Sequence, residues 1–308
     1  MVQTNSVINK ERIIVIAGPT GVGKSAYGVE IAKKYNGEVI SADSVQIYKG
    51  LDVGSGKISQ DEMHGVPHHM LDIAEPYEYF TVVQYIDTAR TIIADIIHRG
   101  KVPIIVGGTG FYINALLHGY SCGNAGPDLK LRERLNELGN SGVDLHEKLL
   151  EIDPTSGIMK NDIFRVTRQL ELLLSPTYDN DENSDYADMY DALLIILDAD
   201  RAKLDEYAEK RIRQMISAGF IDEVRGLKRY FGMKPLDTVG YKEMRYYVQN
   251  EDSITIEETI SDMKLSYHGL IKKQQTFLRW IKWDNKVVAM NSDRKSANAA
   301  IKKFLEQK

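Results

Sequence analysis

Four apolar runs punctuate the chain. Ile13 to Ala17, Val102 to Val106 and Leu193 to Asp198 are nearly continuous in Val, Ile and Leu, the pattern of short strands buried on both faces of a parallel sheet. Glu38-Val-Ile-Ser-Ala-Asp-Ser44 reads as a further strand that runs into a polar end. Between them, Ser25 to Tyr35 and Thr81 to Arg99 have helical periodicity, the second stopping at Gly100. From about Asn124 to Thr177 the pattern changes to polar helices, Leu129 to Leu138, Leu145 to Ile152 and Asn161 to Leu174, with no strand between them. The acidic stretch Tyr178 to Tyr190 reads as a mobile solvated loop. Leu204 to Phe231, with Gly219 as a break or cap, and Ile254 to Trp283 are the last predicted helices.

The chemistry begins where the first strand stops. Gly18-Pro-Thr-Gly-Val-Gly-Lys-Ser25 matches the phosphate-binding loop in the strand–loop–helix context that its mechanics require. Gly18, Gly21 and Gly23 let the backbone turn its amides into one concavity around Thr20, and the helix start adds partial positive charge. Lys24 would reach a terminal phosphate, and the Ser25 hydroxyl would ligate Mg2+. The fold class that follows is α/β: a P-loop parallel sheet flanked by helices, with an inserted small all-helical domain. Its expected boundaries are 1–123 for the first part of the core, 124–190 for the insertion and 191–308 for the second part.

Composition narrows the partners. The 308 residues carry a net charge of −5, divided as −12 over residues 1–200 and +7 over 201–308, so basic character gathers in the last third. That is a mild sign of a phosphate-rich partner. Cys122 is the only cysteine, which excludes internal disulfides and cysteine-rich metal sites. No apolar run reaches the length of a membrane span, the first dozen residues have no signal-like core, and a cytoplasmic protein without a membrane partner is expected.

Parallel α/β sheets place ligands outside the carboxyl ends of their strands, so Asp43, Ser44 and Gln46 should face the phosphate loop. Asp43 has three readings: general base, magnesium ligand through water, or helix cap. Gly107-Gly-Thr-Gly110 gives a second glycine-rich strand end, where Thr109 can approach a charged ligand. Gly50 to Pro67 reads as a loop over the site, with Lys57 as an extra anion contact. His64, His68 and His69 lack a recognised ligand spacing and read as turn and strand-entry residues. Asp198, closing an apolar run, has the look of a magnesium-orienting partner. Arg165 and Arg168 share a helix face. Lys272-Lys-Gln-Gln-Thr-Phe-Leu-Arg279 interleaves basic and amide side chains with an aromatic, which suits phosphate contact plus base stacking; a buried aromatic stripe with solvated lysines would look the same.

Taken in order, these residues resemble the tRNA dimethylallyltransferases, also called tRNA isopentenyltransferases, over nearly the whole chain and in the shorter bacterial form. The resemblance rests on Gly18 to Ser25, Ser41-Ala-Asp-Ser-Val-Gln-Ile-Tyr48, Gly107-Gly-Thr-Gly-Phe-Tyr112, Asn161-Asp162 with Arg165 and Arg168, Val239-Gly-Tyr-Lys-Glu243 and Lys272 to Arg279. It departs from the family pattern at Ser55, Gln169, Lys273 and Phe277. It implies transfer of a dimethylallyl group from dimethylallyl diphosphate to the exocyclic amine of the adenosine on the 3′ side of a tRNA anticodon. By the same resemblance the loop holds the diphosphate leaving group. Lys24, magnesium on Ser25, Thr109 and Arg211 would neutralise charge, and Asp43 would take the amine proton. Ser44, Gln46, Arg168 and Gln274 would read a flipped adenine, Arg165 would serve the RNA beside Arg168, and Lys272 and Lys273 would lie near its backbone. A monomer is expected. The rival readings are a prenyltransferase for free adenine nucleotides and a P-loop small-molecule kinase or NTPase.

Overall fold

The structure is a computed structural model that describes residues 10–118, 128–175, 189–291 and 293–306. The chain divides into two compact units, Met1–His118 with Asp188–Lys308, and Gly119–Ala187. Among the described residues no helix is long and apolar enough to cross a membrane.

The first unit runs β1 (Arg12–Ala17), α1 (Lys24–Lys34), β2 (Gly37–Ser41), α2 (Gln60–Met63), β3 (His68–His69), α3 (Val82–His98), β4 (Val102–Gly107) and α4 (Gly110–His118). The second unit holds α5 (Leu129–Asn140), α6 (Leu145–Ile152) and α7 (Ile163–Leu173). The first unit resumes with β5 (Asp191–Asp198), α8 (Arg201–Ser217), α9 (Phe220–Gly226), α10 (Tyr241–Gln249), α11 (Ile256–Trp280), β6 (Lys286–Met290) and α12 (Lys295–Glu306). The strands form one sheet in the order β3-β2-β4-β1-β5-β6, with every pairing parallel.

Side chains alternate across β1. Ile14 and Ile16 enter one core with Ile104, Val106, Leu193 and Ile195, while Ile13, Val15 and Ala17 enter a second core with Ile105, Leu194 and Ile196. The central strands β1, β4 and β5 are apolar on both faces because both faces are covered. Full burial of each isoleucine side chain stabilises the fold by roughly 1.5–3 kcal/mol. Register then aligns the strand ends: Ala17 is level with Gly107 and with Ile196, and Ser41 with Val106. The turns after β1, β2, β4 and β5 therefore emerge along one edge.

Several expected boundaries shift. The helix expected over 204–231 is two helices and a single-turn 3-10 segment at Lys228–Tyr230, because Gly219 takes φ 93° and starts α9 anew. The helix expected over 254–283 begins at a Thr255 capping box, in which Thr255 and Glu258 satisfy each other's amides, and stops at Trp280. The strand β6 and helix α12 that follow lie beyond the last predicted helix; β6 has no alternating apolar pattern, whereas α12 buries Ala297, Ile301 and Phe304 at helical spacing. Residues 178–188 of the expected acidic loop, and Cys122, lie outside the described residues, but Tyr190 is buried and leads into β5. His68 and His69 do enter the sheet, as β3, and His64 forms the turn after α2.

In the second unit Leu135, Leu145, Leu149, Val166 and Leu170 make a small core of their own. Its polar centre is Glu171, 1% exposed, which accepts from the Asp128 amide (2.7 Å), from Arg132 Nη2 (2.7 Å) and from Arg168 Nη1 (2.6 Å). A buried carboxylate with this many charge-assisted donors is held firmly; removing one arginine would leave charge uncompensated.

Candidate functional site at the carboxyl edge of the sheet

The phosphate loop connects β1 to α1. Gly21 and Gly23 hold φ of +82° and +84°, the left-handed region that glycine enters without strain, and they aim the chain into the helix. The first turn of α1 carries no acidic residue and no side-chain cap, so its positive end is left for an anion. Lys24 lies at that end and donates to the Pro19 carbonyl (2.8 Å). Burial pushes its ammonium down to about 8; Asp43 pulls it back up, and Arg211 presses it down further. A polyphosphate would take the place of that missing negative charge. The exposed Ser25 hydroxyl is in the first turn beside it.

Asp43 follows the end of β2. Its Oδ1 accepts from the amides of Val45 (2.9 Å) and Gln46 (3.3 Å), closing a turn; no helix follows directly, so the helix-cap reading is replaced by a turn cap. Among the described residues no protein donor is bonded to Oδ2. The turn also meets the end of β4: Thr109 Oγ1 accepts from the Ser44 amide (3.0 Å), and the Thr109 amide donates to Ala42 O (3.1 Å). Asp43, Ser44 and Thr109 are thereby brought together with the phosphate loop.

The helical side closes on the same edge. Gln274 of α11 accepts from the Thr20 amide (2.9 Å) through Oε1 and donates to Gly108 O (3.2 Å) through Nε2, so one side chain bridges two loops. A Cβ on Gly108 would fall 2.7 Å from that Nε2, which only glycine avoids. The adjacent Gln275 donates to Asp198 Oδ1 (2.7 Å), and Arg279 donates to Oδ2 (3.2 Å). Asp198 is thus committed to α11 rather than turned towards a metal. Arg211 of α8 donates to Ser55 O (2.8 Å) and carries a buried Nε without a partner.

Several other candidates are already engaged within the protein. Lys57 donates to Tyr48 O and pairs with Asp52 and Asp72, all at 2.6–2.8 Å, with only 7% of its side chain exposed; it braces its own loop instead of meeting an anion. Gln46 accepts from Ser41 and donates to Gly56 O, so both ends of its amide are engaged. Arg165 is exposed and pairs with Asp162 at 3.3 Å, and Arg168 serves the Glu171 hub; both belong to the second unit. Lys272 and Lys273 are exposed on α11, near the exposed Trp280.

Sequence reasoning missed Glu171, Gln275, and Arg294, whose Nη2 lies 3.4 Å from the position of a Gly23 Cβ. Gln275 acts with Asp198, 77 positions away, while Glu171 and Arg294 have a partner three residues off (Arg168 and Asn291) as well as distant ones, and that spacing alone does not tell a buried hub from a surface pair. Among the described residues no cluster of three or more His, Cys, Asp or Glu could bind a metal alone. Ser25 offers one exposed hydroxyl oxygen at the end of the loop, the hard oxygen donor that a magnesium ion bound chiefly through phosphate and water would accept.

Known proteins resemble this chain in sequence and in fold. A family model described as IPP transferase matches residues 46–280, and another described as isopentenyl transferase matches 11–76. The tRNA dimethylallyltransferase of Geobacillus thermodenitrificans is 41% identical over 278 residues, covering 87% of this chain and 88% of the relative. That of Halalkalibacterium halodurans is 38% identical over 280 residues, covering 88% of each. Among solved structures, the full-length tRNA isopentenylpyrophosphate transferase from Bacillus halodurans is 35% identical with a TM-score of 0.69, covering 96% of this chain and 95% of that one. A eukaryotic dimethylallyltransferase acting on tRNA is 26% identical with a TM-score of 0.81, covering 97% and 80%.

Proposed function

The chain belongs to the IPP transferase family and is an enzyme of the tRNA dimethylallyltransferase kind, and on that premise we propose that it moves a dimethylallyl group from dimethylallyl diphosphate to the exocyclic amine of the adenosine 3′-adjacent to a tRNA anticodon. The observation that carries the residue assignment is Asp43: one carboxylate oxygen is fixed by two backbone amides, and the other, beside the phosphate loop, has no donor among the described residues.

In this reading the loop Gly18 to Ser25 cradles the diphosphate, and Lys24 sets its ammonium against the terminal phosphate. Magnesium bound through Ser25 supplies further positive charge. The amine nitrogen attacks the allylic carbon as the carbon–oxygen bond to diphosphate breaks. Negative charge that grows on the departing oxygen is met by Lys24, Thr109 and Arg211. The proton leaves the nitrogen for Asp43 Oδ2, and the diphosphate departs with the electron pair of the broken bond. An adenine amine is a weak nucleophile, so holding it against the carbon supplies much of the acceleration.

The base must leave its stack to reach this edge. Ser44 and Gln46 border Asp43 and are the candidates for reading it, while Lys272 and Lys273 present charge for the RNA backbone. Gln274 supports the loops beneath. A monomeric enzyme acting in the cytoplasm, with no membrane partner, completes the reading.

Incubation with labelled dimethylallyl diphosphate, magnesium and an unmodified anticodon stem-loop tests it. Label is expected in the RNA, and Asp43→Ala should cut transfer at least roughly 10²-fold while donor binding persists. Transfer by Asp43→Ala at the wild-type rate removes Asp43 as the base. Label in AMP but not in RNA would establish the nucleotide prenyltransferase, and phosphate release from ATP without donor binding would establish the kinase or NTPase.

A further inference from the structure

Glu223 has no place in the transfer chemistry, yet its carboxylate is one of the most heavily engaged groups near the site. Oε2 accepts from the amides of Asp52 (3.0 Å) and Val53 (2.6 Å), and Oε1 from the Gly54 amide (3.1 Å) and the Tyr241 hydroxyl (2.7 Å). Three successive amides converge on one acidic side chain, as in the concavities that bind anions, and the protein supplies the anion itself.

The segment held in this way leads into the turn whose Ser55 carbonyl meets Arg211 of α8. Beyond Gly54 the chain turns, with the Gly56 amide donating to Val53 O (3.0 Å) and the Lys57 amide to Asp52 O (2.9 Å). This turn presents Ser55 O to Arg211 Nη2 (2.8 Å) and Gly56 O to Gln46 Nε2 (3.3 Å). The approach is close: a Cβ on Gly56 would fall 2.1 Å from Arg211 Nη2. Beneath it, Phe220 and Tyr241 stand edge to face at 5.2 Å and support Gly54. Among the described residues Arg211 Nε has no partner, and the guanidinium is held by the Ser55 carbonyl on one side and the buried Tyr267 hydroxyl on another, so the Ser55 carbonyl is one of two groups that set where it points.

We infer that Glu223 is a positioning residue: by gathering the amides of 52–54 it sets the Ser55 carbonyl, and through it the Arg211 guanidinium, in the place where diphosphate binds. This rests on the proposed role of Arg211 at the diphosphate. A glutamine at 223 offers one acceptor oxygen where four donors converge, and its own NH2 would oppose the amides. The loop would relax, and the carbonyl that holds Arg211 would move with it.

The test is a double-mutant cycle on the full chain, read as affinity for inorganic pyrophosphate with magnesium by calorimetry, beside the transfer rate. Arg211→Ala should weaken pyrophosphate about tenfold or more, and Glu223→Gln about fivefold, with a melting temperature that shows an intact fold. In the Arg211→Ala background, Glu223→Gln should change affinity less than about twofold, because the group that it positions is gone. Equal fold-losses in both backgrounds, or wild-type affinity in Glu223→Gln, would overturn the proposal. Should Glu223→Gln fail to fold, Tyr241→Phe, which removes one of the four donors, carries the same cycle with a smaller loss. Coupling in pyrophosphate binding without any transfer to RNA by the wild type would leave Glu223 as a positioning residue and sink the proposed reaction instead.

Discussion

The two sides of the strand-end site differ in how far their polar capacity is already spent within the protein. On the sheet side, the α1 start has no side-chain cap, Ser25 is exposed, and Asp43 Oδ2 has no donor among the described residues. On the helical side, Gln274 has both ends of its amide on backbone groups, Gln275 and Arg279 are on Asp198, and Arg211 is on Ser55. The first side is arranged to exchange partners with a ligand, and the second to fix the loops that the ligand meets. Residues of the same chemical type thus do different work: an aspartate after β2 is available for a proton, while an aspartate ending β5 is a clamp.

Substitutions can break this contrast. Lys24→Met should act most strongly, lowering donor affinity by roughly 10²-fold through loss of a charged phosphate contact. The same change should stabilise the free protein. Lys24 titrates at about 8 when folded and at its ordinary 10.5 when unfolded, so below about 8 its charged form costs stability, and the cost fades as pH rises through that window. Removing it should stabilise the fold below pH 8 by on the order of 2 kcal/mol, seen as a higher melting temperature, and make little difference near pH 11, which calorimetry at both pH values reads. A melting temperature that falls in Lys24→Met would show that the ammonium supports the fold.

Gln274→Ala sharpens the contrast at a single residue. As a bridge between Thr20 and Gly108, its loss should weaken donor binding and slow transfer by roughly tenfold, through misplacement of the loop. A side chain that only reads the adenine would raise the RNA KM and leave donor affinity unchanged, so separate titrations of donor and RNA decide between them. The smallest effect belongs to Lys272→Ala. It should weaken RNA binding a few-fold and reduce the salt slope of RNA affinity by about 0.7, the release expected for one phosphate on single-stranded RNA.

The sheet side was legible because its chemistry is written in contiguous residues. The eight positions Gly18 to Ser25 carry their own strand, turn and helix start, and Asp43 and Thr109 follow from the rule that parallel strands present ligands at their carboxyl ends. The helical side joins residues that lie 254 positions apart for Thr20 and Gln274, and 77 for Asp198 and Gln275. Amphipathic spacing can place α11 against the sheet, but it cannot say which glutamine meets which amide. Lys57 shows the opposite failure: a lysine in a polar glycine-rich loop reads as a free cation, and only the approach of Asp52 and Asp72 reveals its ion pairs. The strand β6 was missed because it lies at the sheet edge, where its burial, and so its apolar pattern, is incomplete.

The position of β1 in the sheet also sets a timetable. Its neighbours are β4 and β5, and β5 begins only at Asp191, after the second unit has been made. At ribosomal speeds of about 5–20 residues per second, the nascent phosphate-loop strand waits on the order of ten seconds between its first and second partners. Gln274, which fastens the loop, arrives later still. The most recognisable stretch of the chain is translated among the first and locked among the last, so a chaperone that shields an unpaired β1 edge during that interval should raise the yield of active enzyme.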